Sequence, residues 1–156
     1  METGMVFGII FAIIMIALLL VFGMDQIVNI FCVSNTAQTN KAVKDLENAV
    51  EDVFHLAEGS AMPFKIAIPR NAELCLINYS NPSPMNNWNP DPDMYNIIRN
   101  RIQANQYNVW INYGCGTHEP GYRISYLRVS ENFCVGLGEE LYIENKGHYV
   151  SIEKPM

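Results

Sequence analysis

No proline interrupts the first 58 residues, and their character changes once, partway along. Residues 5–23 (MVFGIIFAIIMIALLLVFG) are an unbroken apolar run, whereas residues 38–59 (QTNKAVKDLENAVEDVFHLAEG) are polar with an apolar stripe. With no ring to remove a backbone donor or clash with the preceding turn, both halves are free to join a single helix. The pattern predicts a helical stem over residues 1–59, apolar at its start and amphipathic at its end. A proline- and tyrosine-rich domain over residues 60–156 follows it. That layout suits a membrane-anchored ectodomain, or a subunit that buries its apolar helix among other helices.

Nineteen residues at 1.5 Å each rise about 28 Å, close to the hydrocarbon thickness of a bilayer. A cleaved secretory signal fits poorly, because no Lys or Arg precedes the run and no small-x-small site follows it. Beyond Gly23, the polar residues Asp25, Gln26 and Asn29 are interleaved with Met24, Ile27, Val28, Ile30, Phe31 and Val33. Polar groups are costly in lipid and cost less where helices pack together and offer partners. Farther on, Ala42, Leu46, Ala49, Val50, Val53 and Ala57 recur at helical spacing, which predicts a face packed on the chain's own domain, a use compatible with packing against neighbouring stems in a bundle.

Gly59 and Pro63 end the stem pattern. Strands are predicted over 64–68, 73–79, 107–113, 122–129, 133–137, 140–144 and 148–153, with a short helix from Asp93 to about Ala104. Asn145, Lys146 and Gly147 mark a hairpin between the last two strands. The expected class is α+β: a long N-terminal helix, apolar then amphipathic, followed by a small antiparallel sheet with one short helix.

The net charge of −6 and the absence of any basic stripe exclude nucleic acid as an indicated partner. Four cysteines (Cys32, Cys75, Cys115 and Cys134) contain no CxxC pair. In a small tethered domain they read as disulfide candidates in an extracytoplasmic setting. Cys75 and Cys134 both fall in predicted strands and are the favoured pair. Cys75–Cys115 and Cys115–Cys134 are the competing bridges, and Cys32 is expected to be a buried free thiol. Cys115, His118 and Glu119 make half of a metal site without a second close pair of ligands. Asp91 and Asp93 lack the remaining features of a calcium loop and read as turn and cap residues. His55, His118 and His148 have no evident nucleophile partner, and no G-x-S-x-G, Walker or HExxH pattern occurs. The chain is therefore expected not to be an enzyme, with no catalytic residues, cofactor or metal. Trp88 and Tyr95, in and beside the proline-rich segment 81–93, could offer a binding surface or pin that loop to the domain.

With this apolar-then-amphipathic stem and β-rich domain, the chain resembles type IV pilins, and in particular archaeal pilin-like proteins. The resemblance covers the whole chain as architecture and roughly the first 60 residues as sequence. It implies a membrane-anchored precursor whose stems then pack as a homo-oligomeric helical filament at the cell surface. Phe7, Ile10, Ile13, Ile14, Ala17, Leu18, Val21, Ile27 and Phe31 would line the assembly core. It further implies processing between Gly4 and Met5, and a glycan on the sequon asparagine Asn78, which Tyr79 and Ser80 follow. The segment before Gly4 carries Glu2 and no basic residue, and neither way of counting the mature start puts a Glu at the fifth position. The second departure points to the archaeal branch. The competing expectation is a single-pass, membrane-anchored surface protein whose extracellular head binds a surface or glycan ligand.

Overall fold

In a computed structural model of the chain, which describes residues 3–83, 92–113 and 121–154, helix α1 spans Thr3–Phe54. Strands β1 (Ala61–Lys65) and β2 (Ala72–Leu76) follow, then helix α2 (Pro92–Asn105). Six strands complete the chain: β3 (Val109–Tyr113), β4 (Gly121–Tyr122), β5 (Leu127–Arg128), β6 (Phe133–Val135), β7 (Glu140–Asn145) and β8 (Val150–Glu153). The α+β class is as expected. The sheet is not single. One four-stranded sheet runs β1-β7-β8-β5 and a second runs β4-β3-β2-β6. Every pairing is antiparallel except β5 with β8, which is parallel.

The chain divides into two compact units, residues 1–36 and 37–156. The expected boundary at residue 59 follows the end of the helix. The unit boundary instead follows burial, because the distal part of α1 belongs to the head core. Ala42, Leu46, Ala49, Val50 and Val53 are all buried and share one core with residues of both sheets. Ala57, predicted as the next member of that stripe, lies beyond the end of α1 and is exposed.

The two sheets are buried differently. In β7, Leu141 and Ile143 face the core while Tyr142 is exposed, the alternation of a one-sided strand, whereas Val150, Ser151 and Ile152 of β8 are all buried. In β2, Leu74 and Leu76 enter the main core. Cys75 and Ile77, two residues on, enter a second cluster with Trp110 of β3 and Ile102 of α2. The second sheet is thus covered on both faces, with α2 on one of them. α2 ends on Gln106 at φ 55°, with the Tyr107 amide reaching back to the Ile102 carbonyl, a left-handed cap formed without glycine.

Cys75 and Cys134 are direct partners across β2 and β6 and are joined by a disulfide, as favoured from sequence. Cys32 corrects its expectation. It is disulfide-bonded rather than a free thiol, and it is half-buried. Its partner lies outside the described residues, as does Cys115.

Three asparagines hold the connections where no ladder does. Asn145, 2 % exposed, sends its amide nitrogen to the carbonyls of Val53, Phe54 and Leu56 at 3.1, 3.0 and 2.8 Å. The last turn of a helix leaves carbonyls without intrahelical donors, and a side chain from β7 supplies them here. Asn108 donates to the carbonyls of Ile124 (2.8 Å) and Leu127 (3.0 Å) and accepts from the Ile124 amide at 2.8 Å. Asn132 accepts from the Asn78 amide at 2.6 Å and donates to Asn81 O and Ser83 Oγ.

Candidate functional site

Two features can act on something outside the chain, one in each unit. In the first unit, the stretch Val6–Gly23 of α1 is long and apolar enough to cross a membrane, and none of it is buried by the chain itself. Its large side chains are between 45 % exposed at Met15 and 75 % exposed at Phe7. Phe7, Ile10, Ile13, Ile14, Ala17, Leu18 and Val21 are all exposed on this helix. The helix is apolar around its whole circumference, the pattern of a segment that needs covering on every side. The backbone of Ile27 and Phe31 continues α1, but their side chains lie outside the described residues, as do those of Asp25 and Asn29. Gln26 is exposed. Thr36 satisfies its hydroxyl by donating to the Cys32 carbonyl one turn back at 2.9 Å, so it adds no unpaired polar group to the stem. Gly4 and Met5 are both helical, Gly4 exposed and the Met5 side chain outside the described residues.

In the second unit, a cavity of about 490 Å³ opens between the segment after β2 and the segment joining β4 to β5 and beyond. Arg123, Tyr126 and Arg128 line it from one side; Asn78, Tyr79 and Ser80 line it from the other. The sequence pattern missed this site because residues 122–129 read as one strand. They form two short strands, β4 and β5, separated at Tyr126, whose φ is 65°. Left-handed backbone is costly for a residue with a Cβ and persists only where surroundings enforce it. Here the Asn108 carboxamide grips Ile124 and Leu127 on either side, and the Val150 amide donates to the Tyr126 carbonyl at 2.8 Å. The Tyr126 ring stacks on Phe54 at 3.9 Å between centroids and 12° between planes, yet the residue remains 50 % exposed. Arg123 and Arg128 are both exposed, and the Arg128 guanidinium sits 5.3 Å from the Tyr149 ring centroid.

Asn78, the expected glycan acceptor, is half-buried at the cavity edge. Its side-chain oxygen accepts from the Ser80 amide at 3.1 Å, and its amide nitrogen lies 3.4 Å from the Ser130 carbonyl. His55 and His148 are exposed and lie apart from this cavity's lining. Trp88, Asp91, Cys115, His118 and Glu119 fall outside the described residues, as do the side chains of Asp93 and Tyr95. Among the described residues, no three His, Cys, Asp or Glu side chains converge as a metal site would require.

Elsewhere on the head, Glu139 accepts from Lys154 Nζ at 2.9 Å and from the Gly136 amide at 2.8 Å. The Lys154 hydrogen bond, then the Gly136 amide, hold its carboxyl below the ordinary glutamate range.

No family model matches this chain, and no curated protein or solved structure matches it either.

Proposed function

We propose that the chain is a structural subunit of an extracellular filament of the type IV pilus kind, assembled by packing of its apolar N-terminal helices. The observation that carries this reading is the uncovered apolar surface of Val6–Gly23 on a helix whose distal part is fixed into a folded head. A bilayer covers that surface in the precursor, and neighbouring stems cover it in the filament. Asp25, Gln26 and Asn29 extend the stem with groups that helix neighbours can hydrogen-bond and lipid cannot. The disulfide Cys75–Cys134 accords with a head that folds outside the cytoplasm. Asn78 is the proposed glycan acceptor, and the Gly4–Met5 bond the proposed processing site. In this reading the head carries no enzymatic activity.

The second reading keeps the chain in the membrane as a single-pass anchor with a binding head. The length of Val6–Gly23, one bilayer crossing, favours it equally. Shearing the surface of cells that express the chain separates the two. Electron microscopy of the high-molecular-weight fraction, with mass spectrometry of the chain's N-terminus, should reveal filaments containing it and starting at Met5. Intact chain confined to the detergent-soluble membrane fraction, with no filaments, would refute the filament reading. Ile13→Gln with Leu18→Gln should abolish filaments while leaving membrane insertion, measured by carbonate extraction, intact.

A further inference from the structure

We propose that the cavity between Arg123, Arg128 and Tyr126 is a binding site for an acidic saccharide, with a sugar carboxylate held by the arginines and the ring face laid on Tyr126. This site lies within the head and does not depend on how the stem assembles.

Three observations converge on it. The first is charge. The protein carries a net charge of −6, yet two exposed arginines face one cavity whose described lining contains no Asp or Glu. A guanidinium presents paired donors in a plane that matches a carboxylate, which a diffuse positive surface does not. The second is the aromatic platform. One face of Tyr126 is occupied by Phe54, which fixes the ring, and the residue is 50 % exposed and shares the cavity lining with the arginines. Tyr79, 39 % exposed, adds a second ring to the same lining, and Ser80 adds a hydroxyl suited to sugar hydroxyls. The third is preorganisation. The segment that carries all three groups is strained at Tyr126 and held by the buried Asn108 amide, so little ordering remains to be done on binding. A volume of about 490 Å³ suits one or two sugar rings rather than a protein segment. The chain's net charge of −6 disfavours a long polyanion such as nucleic acid.

The test is isothermal titration of the full-length chain, in detergent and produced without N-linked glycan, with tri-galacturonic acid, neutral galactotriose and sodium acetate. Tri-galacturonic acid is expected to bind with a Kd in the millimolar range or tighter, and galactotriose and acetate about tenfold more weakly or not at all. Arg123→Ala with Arg128→Ala should weaken the acidic trisaccharide about tenfold or more. The double Arg→Lys variant, which keeps the charge and loses the planar fork, should fall between. Tyr126→Phe should retain binding, because it keeps the ring. Absence of binding by the unaltered chain, or undiminished binding by the double Ala variant, would overturn the proposal. Equal binding of galactotriose would remove the role of the arginines. Equal binding of acetate would leave only a simple anion site and no saccharide recognition. Unfolding midpoints of the variants, expected to stay close to the parent because both arginines are exposed and the Arg128–Tyr149 contact is a surface one, separate lost binding from lost fold.

Discussion

Replacing Asn145 tests whether a single carboxamide closes the head around its helix. Its amide nitrogen has two hydrogens and three carbonyl neighbours, at Val53, Phe54 and Leu56, while its oxygen accepts from the Gly147 amide at 2.7 Å. Asn145→Ala leaves the donors of two hydrogen bonds and one acceptor missing, partly beyond the reach of water. A buried polar group left unsatisfied costs about 1–3 kcal/mol; with Phe54 half-buried and Leu56 exposed, the sum is about 2–4 kcal/mol. For a unit of 120 residues that lowers Tm by roughly 10 °C. The Asp variant, nearly identical in shape, turns an acceptor toward the same carbonyls and should be at least as unstable at pH 7. Its buried carboxyl should have a raised folded-state pKa, so part of its stability should return as pH falls and the carboxyl gains a proton to donate. Urea unfolding of the full chain in detergent can be followed by fluorescence of Trp110, which is 6 % exposed and reports on the head. Amide exchange at Gly147 should quicken in both variants. A loss below about 0.5 kcal/mol in the Ala variant would show that the hairpin holds the helix without this side chain, and the argument would fail.

Cys75→Ser with Cys134→Ser opens a loop of 59 residues and should lower head stability by up to about 4 kcal/mol, read as a shift in urea midpoint. Gly121→Ala places a methyl group against the Tyr107 ring, which packs beside Trp110, and should cost about 1–3 kcal/mol in the same assay. The lowered carboxyl of Glu139 makes its contribution to stability fully present above the ordinary Glu value of about 4.3 and lost as pH falls through the lower native value. Glu139→Gln should therefore flatten a small part of the acid limb of a stability-against-pH curve, small because Lys154 and Glu139 are partly exposed. Leu46→Ala, at a fully buried position in the main core, should cost about 2–5 kcal/mol and so tie the distal helix to head stability.

What could be read from the sequence was whatever repeats locally. The missing prolines predict α1, the 3.6-residue stripe from Ala42 to Val53 identifies its core face, and the Asn145–Gly147 turn predicts the β7–β8 hairpin. The division into two sheets has no local signature, because it depends on which strands meet across long separations. A trace of the break at Tyr126 was nonetheless present. Apolar residues alternate at 122, 124 and 126, then resume at 127 and 129, a slip of one residue that a continuous half-buried strand does not allow. The three asparagine clasps were invisible for a different reason. Asn108, Asn132 and Asn145 resemble ordinary loop residues until the carbonyls and amides they serve, up to 92 positions away, are brought alongside.

The burial of α1 into the head also determines how the molecule meets mechanical load. A pull applied at Ala37 enters the folded unit through the distal part of α1. Six apolar side chains from Ala42 to Val53 and the Asn145 clasp then resist together, instead of parting one hydrogen bond at a time as a peeled hairpin would. A load taken up at Ala37 is thus met inside the main core of the head.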